Sequence, residues 1–203
     1  MAGLALLALF VYGDRSAQVL DARILAEFVA APDGGGEAVA RVVRSLGDLP
    51  VMLALLAIAC AIGVARGRPR SAVAALAVVA GANLTTQMLK LLFSHPRVRA
   101  VLGADQLAWD GFPSGHVTAV MSTAIAFAFV VPDRLRRFVA VVGACLVAGV
   151  AWAVLALGVH YPSDVLGGVL VTAGWGFAVL AVLRLSEAGT ASPLSRPAPL
   201  PSR

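Results

Sequence analysis

Three short clusters of polar residues in this sequence could do chemistry, and each lies where an apolar run meets a polar loop. They are Lys90 with Arg97, the run Pro113-Ser114-Gly115-His116, and His160 followed four residues later by Asp164. Two imidazoles, a carboxylate, a hydroxyl and two cations are together suited to the transfer of a phosphoryl group. The sequence therefore indicates phosphoryl transfer, provided that the fold brings the three clusters to one site.

The two histidine clusters predict different roles. His160 and Asp164 lie one helical turn apart or at a junction of helix and loop, so the carboxylate can hold one imidazole nitrogen and leave the other as a nucleophile. A phosphohistidine intermediate would follow. His116 comes after a turn that opens an apolar run, where unpaired backbone amides and the helix dipole favour an anion. At that turn Ser114 can add a hydroxyl, Gly115 lets the backbone approach a phosphate, and His116 can protonate the departing oxygen.

The first cluster supplies positive charge. Lys90 and Arg97 would offset the charge that phosphoryl oxygens develop in the transition state. A zinc ion held by His116, His160 and Asp164 would have three ligands from distant segments, without the local spacing of zinc sites. We therefore predict a site with no metal and no other cofactor.

The composition indicates the environment, water or lipid, in which these clusters must meet. Of the 203 residues, 60% are hydrophobic and 13% are charged, and the mean hydropathy is +0.88, which excludes an ordinary soluble domain. Apolar runs of about 20 residues cross a bilayer as helices, because lipid offers exposed backbone amides no partner. Five runs approach that length: residues 49–65, 71–89, 115–131, 138–159 and 165–183.

The ends of the chain are less regular. Residues 2–12 form a shorter apolar run that fits the core of a signal peptide but lacks a basic start and a clear cleavage site. A short, tilted span or a misplaced start codon would also account for it. We expect an all-α integral membrane bundle of about six transmembrane helices, or five, in a single domain over residues 1–185. Residues 186–203 contain four prolines and are expected to form a disordered cytoplasmic tail.

The outer loop, residues 14–48, is expected to hold one amphipathic surface helix over residues 17–31, which the glycine-rich run 32–36 ends. Its predicted apolar stripe is Val19, Leu20, Ile24, Leu25 and Phe28. Elsewhere, Cys60 and Cys145 are expected to be small buried hydrophobes and not a disulfide. The polar residues of the third span are expected to bond between helices, namely Asn83, Thr85, Thr86 and Gln87.

Arginines predict the orientation, because short cytoplasmic loops retain Lys and Arg. Three arginines lie between the runs 49–65 and 71–89, three lie between the runs 115–131 and 138–159, and three follow residue 183. Those segments are expected inside, whereas residues 14–48, with six acids and four arginines, are expected outside. All three polar clusters then emerge on the outer face of the membrane, where they can share one site.

The residues also have structural interpretations. The pair of His160 and Asp164 could satisfy itself at a helix end, and Ser114 could cap a helix. Lys90 and Arg97 could extend toward anionic lipid. Ionisable residues at the edge of a membrane more often serve function. His95, in the spacer of the first cluster, is interpreted as a loop contact.

Taken in order, the clusters resemble the three motifs of the type-2 phosphatidic acid phosphatase superfamily of membrane lipid phosphatases. The matching patterns are Lys, six residues, Arg; then Pro-Ser-Gly-His; then Gly-Val-His-Tyr-Pro-Ser-Asp, within about residues 71–183. The resemblance implies that His160 is the nucleophile, that Asp164 orients it, that His116 is the acid, and that no metal is required. The phosphate binders that it implies are Lys90, Arg97, Ser114 and Gly115.

Two positions depart from the pattern of that family. The first motif has Val98 in place of its usual final proline, which alters loop stiffness. The third motif has Val154 in place of a phosphate-binding arginine six residues before its histidine. Losing that donor would cost on the order of 2 to 4 kcal/mol of transition-state stabilisation unless another cation fills the gap. Arg99 is the nearest candidate in sequence, and Arg41 and Arg44 lie on the same side of the membrane.

The resemblance thus implies a metal-independent lipid phosphatase acting on a phosphomonoester or diphosphate, through a phosphohistidine. Leading substrates are polyprenyl diphosphate, phosphatidate and phosphatidylglycerol phosphate. The arginine-rich, nearly lysine-free composition suggests a high-GC bacterium and favours a prenyl carrier of envelope synthesis. The expected partners are the phosphorylated lipid and membrane lipids, and not nucleic acid. The alternative is a weakened member that binds phosphorylated lipid or acts as a scaffold, because of Val154.

Overall fold

The computed structural model describes residues 13–29, 34–93 and 111–190 of the chain. Within these ranges there is no strand, and the helices follow one another in a single bundle. The predictions for residues 2–12, His95, Arg97, Arg99 and the end of the tail fall outside the described residues. The helices are α1 Arg15–Val29, α2 Gly34–Arg44, α3 Leu49–Ala65, α4 Pro69–Leu92, α5 Gly115–Val130, α6 Asp133–Ala156 and α7 Pro162–Thr190, and the 3-10 turn Ser45–Gly47 joins α2 to α3.

Helix α5 lies at the centre of the bundle, in contact with α3, α4, α6 and α7. Small residues permit the close approach. A Cβ added to Gly143 of α6 would lie 2.7 Å from the Cβ of Ala124, and one added to Gly168 of α7 would lie 2.8 Å from the carbonyl oxygen of Ser114. Helices in lipid associate through such close packing, since no hydrophobic effect drives them together. The second polar cluster, at the start of α5, is therefore surrounded by the other helices.

Three helices are long and apolar enough to cross a membrane: α4, α6, and α7 over Pro162–Ser186. The segment Gly36–Gly47 and helix α3 form a fourth candidate that is bent by 49°. Helix α5 is apolar but has only 16 residues. At about 1.5 Å per residue, α5 is shorter than the roughly 30 Å of a hydrocarbon core. The predicted all-α membrane bundle is confirmed, whereas the count of six spans stays a prediction.

Hydrogen bonds between polar side chains join α4 to α5 and α7 inside the bundle, as the sequence predicts. Gln87 is the exception, because it is exposed on the surface of α4. The bonds between helices are Asn83 to Ser122 (3.2 Å), Thr86 to Thr118 (3.1 Å) and the Trp175 indole N–H to Thr85 (3.0 Å).

Helix α1 agrees with the predicted amphipathic helix. Of the predicted apolar stripe, Leu25 is buried against the bundle, whereas Leu20 and Ile24 are exposed on its surface. The buried face contains Asp21, whose carboxylate accepts hydrogen bonds from the backbone N–H and the hydroxyl of Ser163, at 3.0 and 2.5 Å. This polar contact with α7 sets the rotation of α1, and hydrophobic periodicity does not reveal it.

Helix α2 begins inside the glycine run that we expected to be irregular. Gly34, Gly35 and Gly36 form its first turn. Glycine costs about 1 kcal/mol relative to alanine inside a helix, and the contacts of α2 with α6 offset that cost. Within α2, Arg41 also forms an exposed ion pair with Glu37, which lies one helical turn earlier. Because α2 ends at Arg44, the chain reaches the start of α3 within one short turn.

Two further expectations need correction. Cys60 and Cys145 are free thiols, but only Cys60 is partly buried, with its Sγ 3.7 Å from the carbonyl oxygen of Ala72. Cys145 is exposed, because it lies on an outward face of α6. Helix α7 continues to Thr190, beyond residue 185, where we expected the folded domain to end.

Candidate active site

The turn between α6 and α7 builds the His160 pair from local sequence. Helix α6 ends in a Schellman turn in which Gly158 has a φ of 65°, and the chain then leads to His160. Pro162 takes the first position of α7, where its missing N–H is not needed. The Asp164 carboxylate accepts the backbone N–H of Tyr161 at 2.8 Å and lies 3.4 Å from Nδ1 of His160. The carboxylate thus holds the ring by Nδ1 and leaves Nε2 as the nitrogen available for reaction.

The start of α5 is tied to this pair through the backbone. The N–H of Ser114 donates to the carbonyl oxygen of Asp164 at 2.9 Å. The Ser114 side chain is fully buried, and its Oγ has no hydrogen-bond partner in the part of the chain that the structure describes. Leaving a buried hydroxyl unsatisfied costs about 1–3 kcal/mol. An oxygen of an anion bound at the start of α5 is the kind of partner that this hydroxyl lacks.

Lys90 brings a positive charge to the same helix start. It lies in the last turn of α4, and its Cε is 4.0 Å from the place that a Cβ on Gly115 would take. The ammonium group is therefore next to the first turn of α5, where the backbone amides and the helix dipole also attract an anion.

The two histidines face each other across the site. The ring centroids of His116 and His160 are 6.1 Å apart, and the ring planes meet at 71°. A nucleophile about 3 Å from phosphorus and an acid about 3 Å from the departing oxygen require a separation of this order. The arrangement can hold one phosphoryl group between the rings.

The N-terminal region contributes residues that the sequence did not identify as part of the site. Nη1 of Arg44 lies 3.2 Å from Nε2 of His116, and Oδ1 of Asp48 lies 3.4 Å from the same nitrogen. Gly47 allows this approach, because a Cβ there would lie 2.8 Å from the Cα of His116. Arg44 was among the arginines that could replace the missing cation, although the sequence favoured Arg99. The local signal for the turn is a Gly-Asp pair immediately before an apolar run.

Position 154 is apolar in its surroundings as well as in its side chain. Val154 is fully buried in a cluster with Val117 and Val150, and Val43 of α2 packs against that cluster. The residue after Val43 is Arg44, so α2 delivers a guanidinium to the site from the segment that packs around position 154.

Six predicted site residues therefore converge, while Arg97 and Arg99 lie outside the described residues. Together the six provide an imidazole with a carboxylate partner, a second imidazole, and a place suited to an anion. They are Lys90, Ser114, Gly115, His116, His160 and Asp164.

Comparison with known proteins is consistent with this arrangement. The family model of the PAP2 superfamily matches residues 71–187. The fold is similar to the crystal structure of the first transmembrane PAP2-type phosphatidylglycerolphosphate phosphatase from Bacillus subtilis, with a TM-score of 0.78 and 21% identity over 90% of this chain and 93% of that one. It is also similar to LpxE from Aquifex aeolicus, with a TM-score of 0.62 and 20% identity over 78% of this chain and 93% of that one.

No curated protein sequence matches the chain significantly. At identities of 20–21%, the two structural similarities establish the fold and not the activity. The family match is different in kind, because it covers more than half of the chain and takes in all three polar clusters. The resemblance seen in the sequence is thereby confirmed, and the chain belongs to the PAP2 superfamily.

Proposed function

We propose that this protein is a membrane lipid phosphatase that hydrolyses a phosphomonoester or diphosphate of a lipid through a phosphohistidine intermediate. The observation that carries the proposal is the pair of imidazoles, 6.1 Å apart, beside the first turn of α5. One of them, His160, has a buried carboxylate partner, and the other, His116, is partly open to solvent. This asymmetry suits a nucleophile and a proton donor, respectively.

In the first step, Nε2 of His160 attacks phosphorus, so that an N–P bond forms while the P–O bond to the lipid breaks. Asp164 keeps the proton on Nδ1 and stabilises the positive charge that the ring acquires. Lys90 and the buried hydroxyl of Ser114 stabilise the phosphoryl oxygens, together with the amides of α5. His116 gives its proton to the departing oxygen, and the dephosphorylated lipid leaves.

In the second step, water attacks the phosphohistidine from the side that the lipid has left. His116, now neutral, takes a proton from this water, and the N–P bond breaks as the new O–P bond forms. Inorganic phosphate leaves, and His160 is regenerated. The side chains and the helix start provide the charge stabilisation and the proton transfers, so the mechanism requires no metal or other cofactor.

The substrate class follows from the place of the site in the bundle. The site lies at the ends of membrane helices, so a phosphate can meet it while its lipid tail stays in the bilayer. The Bacillus subtilis relative is named as a phosphatidylglycerolphosphate phosphatase. Phosphatidylglycerol phosphate, phosphatidate and polyprenyl diphosphate are therefore the candidates, and the arginine-rich composition favours the prenyl compound in envelope synthesis.

The active site is proposed to open on the outer face of a bacterial inner membrane. The opposite end of the bundle is rich in arginine, as the cytoplasmic side of a membrane protein is. Four of these residues line one cavity at that end: Arg68, Arg70, Arg136 and Arg184.

The test is release of inorganic phosphate from the three candidate lipids by the purified full-length protein in detergent, with and without a chelator. Wild type should be active and unaffected by the chelator. His160→Ala should show only background release, and His116→Ala should lose about 10²-fold or more. Asp133→Asn, at the opposite end of the bundle, is the matched control. Acid-labile phosphate should be recovered on wild type quenched during turnover and not on His160→Ala.

Release that persists in His160→Ala, or that the chelator abolishes, would contradict this mechanism. The alternative function, binding of a phosphorylated lipid without turnover, is favoured by Val154 alone. It predicts no release by wild type from any of the three lipids, together with retained binding of those lipids.

A further inference from the structure

We propose that Arg44 binds the phosphoryl oxygens of the substrate and supplies from α2 the cation that the buried Val154 cannot. The inference rests on the proposed function, and it extends the site to the N-terminal region. The family match begins at residue 71, so Arg44 lies outside the part of the chain that the match covers.

The fold holds Arg44 in place from both sides. Val43, immediately before it, lies against α6, with its Cγ1 3.5 Å from the place of a Cβ on Gly149. Gly47, three residues later, is buried against the backbone of His116. Because its neighbours in the chain are fixed, the side chain of Arg44 is restricted to the region around His116.

Most donors of the Arg44 guanidinium contact no side chain in the part of the chain that the structure describes. Its contact with a described side chain is the one at 3.2 Å to Nε2 of His116, and it forms no ion pair with a carboxylate among the described residues. The side chain is half-buried. Arg41, one turn earlier on the same helix, is instead exposed and paired with Glu37. A partly buried guanidinium with five donors and no carboxylate partner is suited to an anionic ligand.

The position of Arg44 points to the phosphoryl group in particular. Nε2 of His116 is the atom that must meet the oxygen leaving phosphorus, and a group 3.2 Å from that atom is within reach of the other phosphoryl oxygens. The planar fork of arginine can bind two such oxygens at once. On substrate binding, the guanidinium turns from the imidazole to the phosphate, and Nε2 becomes available to the departing oxygen.

The experiment compares Arg44→Gln and Arg44→Lys with Arg41→Gln as the matched control. Two quantities are measured on each full-length protein in detergent: kcat/KM for lipid phosphate, and the dissociation constant of orthovanadate. We expect Arg44→Gln to lower kcat/KM by about 10²- to 10³-fold and to weaken vanadate about tenfold or more. Arg44→Lys should recover part of both losses, since it restores the charge but not the fork. Arg41→Gln should match wild type.

The vanadate measurement separates phosphate binding from an effect on His116 alone. If Arg44→Gln slows turnover but binds vanadate as wild type does, Arg44 only positions the imidazole, and the inference is wrong. Equal values for Arg44→Gln and Arg41→Gln in both measurements would also overturn it. If wild type releases no phosphate from any lipid, the proposed function fails separately, and vanadate binding still decides the role of Arg44. Thermal unfolding of each variant identifies one that loses its fold, and Arg44→Lys then carries the test.

Discussion

The two histidines of the site are held by different kinds of structure. The partner of His160 is Asp164, four residues later at the start of α7, and both side chains are almost fully buried. The partners of His116 are Arg44 at the end of α2, which is 72 residues away in sequence, and Asp48 just before α3. That second environment is wetter, with side-chain exposures of 22% for His116 and 42% for Asp48.

The difference fits the two proposed tasks. A nucleophile must keep one tautomer and one orientation, and a dry carboxylate fixed by its own helix start achieves both. A proton donor must exchange protons with the departing lipid and with water, so it needs access to solvent. The proposed nucleophile is therefore positioned by its own stretch of sequence, whereas the proposed acid depends on a tertiary contact made by the N-terminal region.

The largest effect should come from breaking the local pair. Asp164→Asn would replace the carboxylate by an amide that no longer stabilises the imidazolium and can favour the wrong tautomer. By analogy with the catalytic triad of serine proteases, we expect kcat to fall about 10³- to 10⁴-fold. The amide oxygen can still accept the backbone N–H of Tyr161, so the fold should be retained. Phosphate release and thermal unfolding measure the two effects separately.

The control for this change is Asp133→Asn, whose carboxylate pairs with Arg136 at the other end of the bundle. It should leave kcat unchanged. If Asp164→Asn keeps more than about a tenth of wild-type kcat, His160 does not depend on this carboxylate, and the contrast between the two histidines disappears.

The next effect tests the tertiary contact. A Cβ on Gly47 would lie 2.8 Å from the Cα and Cβ of His116 and 2.9 Å from its carbonyl oxygen, so the turn must shift in Gly47→Ala. Overpacking of this kind costs about 1–3 kcal/mol of stability, and a displacement near 1 Å can lower catalysis about 10²-fold. Denaturation and phosphate release are the measurements.

Gly149→Ala is the matched control, because its Cβ would meet Val43 at an ordinary contact distance of 3.5 Å in the same N-terminal interface. It should be neutral or slightly stabilising. A Gly47→Ala protein with normal turnover would show that proton transfer by His116 does not depend on this turn.

The sequence predicted the parts of the site that lie within a short stretch of chain, and it missed the contacts between residues far apart in sequence. His160 with Asp164 and the run from Pro113 to His116 each lie within one helical turn, so residue type and spacing were enough to find them. The apolar runs were equally clear, because the lipid requires every span to be a helix. The rotation of α1 was missed, since the bond from Asp21 to Ser163 joins residues 142 positions apart.

The site contact of the N-terminal region was missed for the same reason. Nothing in residues 34–48 shows that Arg44 will meet His116, because that contact depends on how α2 packs against α6 and how closely Gly47 approaches α5. The absence of an arginine at position 154 signalled that a cation was needed. It could not indicate which arginine would fill the gap.

The smallest effect on kcat should come from Asp48→Asn, and this variant distinguishes the environments of the two histidines most directly. Its carboxylate lies 3.4 Å from Nε2 of His116 and attracts the imidazolium while the ring carries the proton. Because the carboxylate is partly exposed, solvent weakens the interaction, and Asp48→Asn should lower kcat only about three- to tenfold. Glu37→Gln, an exposed acid of the same region, is the control and should have no effect.

Two conditions then separate Asp48 from Asp164. An aryl phosphate needs little help from an acid, so the loss in Asp48→Asn should shrink with that substrate, while the loss in Asp164→Asn should not. Raising the salt concentration should reduce the difference between wild type and Asp48→Asn, because exposed charges are screened and buried ones much less so. If both variants respond alike to leaving group and salt, the two carboxylates act on the same step, and the division of labour between the histidines is wrong.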